Sequence, residues 1–308
     1  MSKHPTLLQH FRSFAFQNNI RDFDIALEYF SVFGGTGWDV DVSKSVEVLI
    51  EEKILRNYEP IHKSMIRYTH NNPVYHKVLS LVALGTEYEH DVFKKAKIGR
   101  DRGEEAVDYL EQKSLLKFDL SVEKPLNESD GKSDRLLFTL PFFRFWFAMI
   151  SPNYKSISEG DVSEFEKKWM KMRENFYILL SNLLVRELFL QQMAVKFKDD
   201  PITSIGSYYD KHTYIEILGK RKSGKMLAGA CKYSKDAAKI NMLETLKQKS
   251  EKAEINVIDY VLFSKNGFTI EVEERKEEET TLLSGDDLSS LLADLTAKDL
   301  LGYKNKKY

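Results

Sequence analysis

The amino-acid sequence predicts an α+β protein whose first half is helical and whose second half contains a sheet. Through most of the first half, apolar residues recur every three to four positions, which is typical of amphipathic helices. After Pro201 the apolar period shortens to two, which is typical of strands. We expect a helical N-terminal segment over residues 1–70, a second domain over 71–150 and a third over 151–308.

Composition limits the functions that the chain can have. Its 308 residues contain 46 Lys plus Arg and 47 Asp plus Glu, so the net charge of −1 argues against nucleic-acid binding by the whole surface. Cys231 is the single cysteine, which excludes an intramolecular disulfide and a multi-cysteine zinc site. The N-terminus has no apolar signal-peptide core, and no apolar run predicts a membrane span. We therefore expect a cytoplasmic protein without a membrane partner.

Helical patterns account for the first segment. After Ser43, the apolar residues Val46, Leu49, Ile50 and Ile54 lie on one helical face. The glycine-rich stretch Gly34–Gly37 ends the preceding helix, because glycine adopts the backbone conformations that stop a helix and turn the chain.

Residues 71–150 follow the order of a winged helix-turn-helix. One helix is predicted over Val74–Leu84, a second after the capping-box sequence Thr86–Glu89, and a third after Asp101. Alternating apolar residues over Leu116–Val122 and a second strand over Arg135–Leu140 form a hairpin with a polar tip. Three short helices followed by such a hairpin predict that residues 71–150 form a winged helix-turn-helix.

Basic residues on the third helix and on the wing are candidates for contact with double-stranded DNA. The third helix of a helix-turn-helix enters the major groove, but here its arginines alternate with acidic residues. DNA binding and protein contact therefore both stay open for this domain. The candidate DNA-binding residues are Arg100, Arg102, Lys124, Lys132 and Arg135.

The remaining elements form the third domain. The aromatic run Pro141–Phe147 is predicted to be buried in a core, and a long helix is predicted over Ser163–Met193. After these, the order is three strands, a helix, a strand, two short strands and a final helix. The predicted ranges are Ile202–Tyr209, Tyr214–Leu218, Met226–Tyr233, Asp236–Lys249, Ile255–Phe263, Ile270–Glu274, Thr281–Leu283 and Asp286–Leu295.

The segment Gly219–Met226 has the spacing of a phosphate-binding P-loop, but it lacks the required context. Met226 stands where a Ser or Thr would bind magnesium, and a strand follows where a helix should begin. We interpret the segment as the basic tip of a β-hairpin, and we expect no ATP hydrolysis.

The second and third of these strands carry an incomplete nuclease motif. An acid on one strand followed by acid-x-Lys on the next is the layout of PD-(D/E)XK nucleases, in which two carboxylates hold a divalent cation and the lysine stabilises developing charge. Glu216 and Lys232 occupy two of these positions, but Ala230 stands where the second acid is needed. Glu244, on the following helix, is the candidate for a relocated acid.

From about residue 30 to 295, the chain resembles the C-terminal part of the archaeal-type ATPase family. This resemblance implies a winged helix followed by a restriction-endonuclease-like α/β domain of uncertain function, here without the ATPase domain. Family members tend to have Asp at the position of Glu216 and Glu at the position of Ala230. The segments that carry the resemblance are Pro141–Asn153, Ile205–Lys211, Gly229–Tyr233 and Leu262–Phe268.

Three hypotheses follow. The first is a DNA-associating protein with a degenerate, inactive nuclease-like domain and no cofactor. The second is a Mg²⁺- or Mn²⁺-dependent nuclease that uses Glu216, Lys232 and Glu244. The third is an adaptor that contacts another protein, such as a separate ATPase.

Overall fold

The computed structural model describes residues 5–302 and confirms the α+β class, with a helical N-terminal half followed by a five-stranded sheet. Its internal contacts group the chain into two compact units. The first comprises the described residues of Met1–Phe118, Arg135–Leu180 and Leu295–Tyr308, and the second comprises Asp119–Asp134 and Ser181–Asp294. The three domains over 1–70, 71–150 and 151–308 stay a prediction.

The helices of the first unit are mostly short. The first, α1, begins at a capping box in which Thr6 and Gln9 exchange hydrogen bonds. In chain order the helices are α1 (Leu7–Gln17), α2 (Phe23–Phe33), α3 (Val46–Ile50), α4 (Tyr58–Thr69), α5 (Pro73–Ala83), α6 (Glu89–Ala96), α7 (Arg100–Gln112), α8 (Pro141–Phe145) and α9 (Tyr154–Ser158). The long helix α10 (Ser163–Lys196) belongs to the first unit up to Leu180 and to the second from Ser181.

Aromatic side chains form the core of the first unit, as predicted for the run Pro141–Phe147. Phe145, Trp146 and Phe147 are fully buried, and Phe145 makes an edge-to-face contact with Trp169 at 5.5 Å between ring centroids. Burial of several large rings is strongly favourable because each removes a large apolar area from water.

From α5 to the hairpin the elements follow the predicted order, but two helix starts do not. Helix α7, predicted to begin after Asp101, begins at Arg100 with Gly99 as its N-cap. The Thr86 hydroxyl accepts a hydrogen bond from Lys95 at 3.0 Å and caps no helix, so the predicted capping box is wrong. Tyr88 is the N-cap of α6 and also forms an isolated bridge with Arg135, which holds this turn against the hairpin. The hairpin strands are β1 (Leu116–Asp119) and β2 (Arg135–Phe138).

The connection between β1 and β2 belongs to the second unit. Ser121 forms a parallel bridge with Ser207, and the Val122 amide donates to the Ser207 carbonyl at 2.9 Å. The Asp119 carboxylate lies 2.9 Å from Arg186 and accepts from the Ser207 hydroxyl at 3.1 Å. The predicted wing is therefore fixed along the edge of the main sheet, where it satisfies edge backbone groups that would otherwise be open.

The second unit is built on a mixed sheet with the strand order β3-β4-β5-β6-β7. The first two pairings are antiparallel and the last two are parallel. The strands are β3 (Ile202–Tyr209), β4 (Tyr214–Arg221), β5 (Met226–Lys232), β6 (Val257–Ser264) and β7 (Thr280–Ser284), and the helices are α11 (Asn241–Lys252), α12 (Ile270–Arg275) and α13 (Gly285–Ser289).

Helices cover both faces of this sheet. Leu243 and Leu246 of α11 pack in a core with Leu218 and Leu262. On the other face the Phe189 ring of α10 lies so close to Gly229 that a Cβ there would be 2.3 Å from it. Gly229 is thus required for close approach of helix and strand.

Three predictions for this region need correction. The final helix, predicted over Asp286–Leu295, is α-helical only over Gly285–Ser289 and continues as a 3-10 turn over Ser290–Leu292. The segment Ile270–Glu274, predicted as a strand, forms helix α12, because β6 and β7 are parallel and a parallel pair needs a crossover connection. The predicted helix Asp236–Lys249 begins later, at Asn241, and continues to Lys252. The hairpin tip predicted for Gly219–Met226 is confirmed, since β4 ends at Arg221 and β5 begins at Met226.

Helix α10 is long and apolar enough, by length and composition, to cross a membrane, and 39% of its most apolar stretch is buried inside the protein. Core helices of globular proteins share that length and composition. The cytoplasmic location stays a prediction.

Candidate functional site: a lysine-lined cleft

The candidate site opens where β4 and β5 separate. Their backbone pairing ends at Ile217 and Gly229, whereas β5 stays paired with β6 as far as Lys232. Beyond the last pair, the Glu216 carboxylate accepts a hydrogen bond from the Cys231 amide at 2.7 Å. A side chain therefore replaces a strand carbonyl as the partner of this amide, and the two strands diverge without leaving it unsatisfied.

A cleft of about 310 Å³ lies between these diverging strands and helix α11, entirely within the second unit. Its strand wall includes Glu216, Ala230 and Lys232. Its helix wall is formed by positions four residues apart, which lie on one face of a helix: Asn241, Thr245 and Lys249.

The charges in the cleft are unbalanced. Three lysines line it, Lys232, Lys239 and Lys249, against the single carboxylate of Glu216. Lys232 donates to the Ala237 carbonyl at 3.0 Å, and within residues 5–302 none of the three lysines forms an ion pair with a carboxylate. The lining of the cleft therefore contains more positive than negative groups.

Burial raises the pKa of Glu216 because it disfavours the charged carboxylate. The hydrogen bond from the Cys231 amide, and the positive charges of Lys249 and Arg186, act in the opposite direction but do not cancel that effect. Burial also raises the pKa of the Cys231 thiol, so this cysteine has the character of a protonated, unreactive side chain.

The structure brings two of the three predicted catalytic residues together. Glu216 and Lys232 both line the cleft, and Ala230 lies between them on the cleft wall. Glu244 is exposed and is not among the lining residues, although it belongs to the same helix as Lys249. In the part of the chain that is described, no group of three or more His, Cys, Asp and Glu side chains is arranged to hold a metal ion.

The predicted DNA-binding residues are distributed over both units. Arg100 and Arg102 are exposed on α7, where Arg100 forms an ion pair with Glu104 at 2.6 Å. Lys124 and Lys132 are exposed on the connection between β1 and β2, in the second unit.

Arg135 differs from these four residues because it is buried. Only 4% of it is exposed, and its guanidinium contacts the Glu87 carboxylate at 2.5 Å. A guanidinium in this position holds the hairpin to the preceding turn and is not placed to contact a phosphate.

Sequence reasoning did not identify four polar residues that line the cleft, Lys239, Asn241, Thr245 and Lys249, or the neighbouring Arg186. Asn241, Thr245 and Lys249 form a polar stripe at intervals of four, and this spacing was a usable signal once the helix was recognised. Arg186 had no such signal. Its guanidinium donates to the Glu216 carbonyl at 3.1 Å and pairs with Asp119, which is distant in sequence.

The comparisons with known proteins concern the same region. Residues 146–258 match the model of a family described as archaea bacterial proteins of unknown function, DUF234. The matched segment contains the whole lining of the cleft and agrees with the resemblance seen in the C-terminal region. No curated protein and no solved structure matches the chain.

Proposed function

We propose that this protein associates with double-stranded DNA through a winged helix and carries a nuclease-like domain that binds phosphate without cleaving it. The observation that carries the phosphate-binding part of the proposal is the composition of the cleft, which has one carboxylate and three lysines. A hard divalent cation requires several oxygen ligands, and Ala230 supplies none. Lysines without carboxylate partners favour an anion instead.

The order of elements in each unit supports this assignment. Helix α5, the bridge at Tyr88, helices α6 and α7 and the β1–β2 hairpin follow each other as in a winged helix-turn-helix. The second unit has the order expected of a nuclease-like domain: a long helix, three antiparallel strands, a helix and a parallel strand.

Contacts with the DNA backbone are proposed for the exposed basic residues. Arg102 on α7 is the best placed, since it is exposed and no carboxylate pairs with it among residues 5–302. Arg100 shares its charge with Glu104. On the second unit, Lys124 and Lys132 are separate exposed candidates. Arg135 is not part of the proposed surface.

Fluorescence anisotropy with a labelled DNA duplex tests this function. We expect binding that weakens steeply with salt, because each phosphate contact releases counterions. Substitution Arg102→Ala should lower the slope of the logarithmic salt dependence by about 1. Arg67→Ala, which removes an exposed arginine of α4, is the matched control and should leave the slope unchanged. Absence of binding to the duplex at low salt would contradict the proposed DNA association.

The same preparation tests for cleavage. We expect no product from linear or supercoiled DNA in Mg²⁺ or Mn²⁺, because the second acid of the site is missing and Glu244 lies outside the cleft. Metal-dependent cleavage that is lost in Glu216→Gln would instead establish the nuclease hypothesis.

A further inference from the structure

We propose that the cleft of the second unit binds a phosphate monoester, with Lys232, Lys239 and Lys249 as its charged ligands. This inference deepens the proposed function and rests on it, because it names the chemical group that the nuclease-like domain holds. An internal phosphodiester of a DNA backbone is not the ligand proposed for this site.

The charge of the cleft matches a monoester. When Glu216 is ionised, the four charged groups of the lining leave two positive charges uncompensated. A phosphate monoester carries about −1.5 to −2 at pH 7 and offers three strong acceptor oxygens, whereas a diester carries a single charge. Three ammonium groups around one terminal phosphate satisfy both the charge and the acceptors.

The donors are distributed around the cleft on three separate parts of the chain. Lys232 is the last residue of β5, Lys239 lies in the connection that leads to α11, and Lys249 lies two turns along that helix. Lys232 uses one of its donors on the Ala237 carbonyl, which fixes its ammonium group, and keeps the others for a ligand. Asn241 and Thr245 add uncharged hydrogen-bonding groups on the same wall.

The size of the cleft selects the kind of molecule that can carry the phosphate. A volume of about 310 Å³ is at the lower limit of small-molecule sites and is far too small for a DNA duplex. The monoester can therefore belong to a small molecule, such as a nucleotide, or to the terminal nucleotide of a nucleic-acid strand. Both sources present the same chemistry to the three lysines.

Glu216 has a structural role in this site. Its carboxylate is committed to the Cys231 amide, and Lys249 and Arg186 contribute favourable charge to it. Replacement by glutamine keeps an acceptor for the amide and removes the one negative charge from the cleft. Glu216→Gln should therefore tighten phosphate binding, whereas it would weaken the binding of a divalent cation.

Isothermal titration calorimetry on the full chain tests the proposal with inorganic phosphate, a nucleoside 5′-monophosphate, and one short oligonucleotide with and without its 5′-phosphate. We expect binding of monoesters that becomes about tenfold weaker in Lys249→Met, since a hydrogen bond to a charged group is lost. Lys252→Met is the matched control, because Lys252 lies on the same helix, is exposed and does not line the cleft. Lys239→Ala, at an exposed position, replaces Lys249→Met should that variant fail to fold.

The relative affinities for these ligands distinguish the two sources of the phosphate monoester. Equal affinity for the nucleoside monophosphate and the phosphorylated oligonucleotide identifies a small molecule, and a clear preference for the phosphorylated oligonucleotide identifies a strand end. The proposal is overturned when no monoester binds at millimolar concentration. It is also overturned when small monoesters do not bind and the 5′-phosphate does not change the affinity for the oligonucleotide. Equal affinities of Lys249→Met and Lys252→Met for the monoesters would overturn it as well. Binding of an unphosphorylated duplex that persists in those cases would leave the proposed DNA association intact.

Discussion

At one end of strand β4, Arg221 is paired with a carboxylate. At the other end, Glu216 faces a cleft whose three lysines form no ion pair with a carboxylate of residues 5–302. Arg221 is 7% exposed, its guanidinium lies 2.6 Å from the Asp259 carboxylate, and its charge is also placed over the Phe197 ring at 4.2 Å. Both ends therefore contain partly or fully buried charge within one sheet. They differ in whether the protein itself supplies the opposite charge.

We interpret this difference as one between a charge that serves folding and charges that are available to a ligand. Removing charges from water costs several kcal/mol per ion unless they are paired, so the pair at the Arg221 end serves folding. At the cleft end the lysines remain partly exposed and uncompensated, which is the arrangement expected where a ligand completes the charge balance. Four predictions test this contrast.

The largest effect is expected at the paired end. Asp259→Ala leaves the buried Arg221 without its closest partner and should lower the free energy of unfolding by about 3–5 kcal/mol. Urea denaturation measures the change. The control, Glu278→Ala, removes an exposed acid and should change stability by less than about 0.5 kcal/mol. A loss of similar size in both variants would show that the pair contributes nothing specific.

At the cleft end, the hydrogen bond of Glu216 matters more than its charge. Glu216→Ala leaves the Cys231 amide without its acceptor and should destabilise the protein by about 1–3 kcal/mol. Glu216→Gln retains an acceptor for this amide, so its free energy of unfolding should decrease much less. Equal losses in the two variants, measured by urea denaturation, would mean that the charge is the stabilising feature.

The pH dependence of stability should reveal the raised pKa of Glu216. Because the folded pKa exceeds the unfolded value, the folded state binds more protons between the two, and stability decreases as the pH rises through this range. Glu216→Gln should remove that decrease. The check is the difference in unfolding free energy between wild type and variant at about pH 4, below the ordinary range of the carboxyl pKa, and at about pH 8. A difference that does not vary with pH contradicts the prediction.

The smallest effect on stability is expected for the cleft lysines. Lys249→Met should change the free energy of unfolding by no more than about 0.5 kcal/mol in the absence of ligand, because Lys249 has no ion pair to lose within residues 5–302. In the presence of a phosphate monoester, wild type should gain stability and Lys249→Met should gain less. A large loss of stability in the absence of ligand would show that Lys249 stabilises the fold.

Local patterns in the sequence were sufficient for much of this architecture. The alternation of apolar residues predicted the strands β3 to β6, and the basic turn after Arg221 was recognised as a hairpin because a strand, and no helix, follows it. These features depend on neighbours within a few residues, so periodicity and turn chemistry reveal them.

The sequence by itself determined the α+β class, the placement of Glu216 and Ala230 on neighbouring strands, and the burial of the aromatic run Pro141–Phe147. Tertiary structure decided the rest: the helical state of Ile270–Arg275, the placement of the wing along β3, the exposure of Glu244 and the meeting of Lys249 with Lys232. Each of these depends on pairing between strands or on packing of a helix against a sheet. Such contacts join residues far apart in the chain, and their geometry is not encoded in any local period.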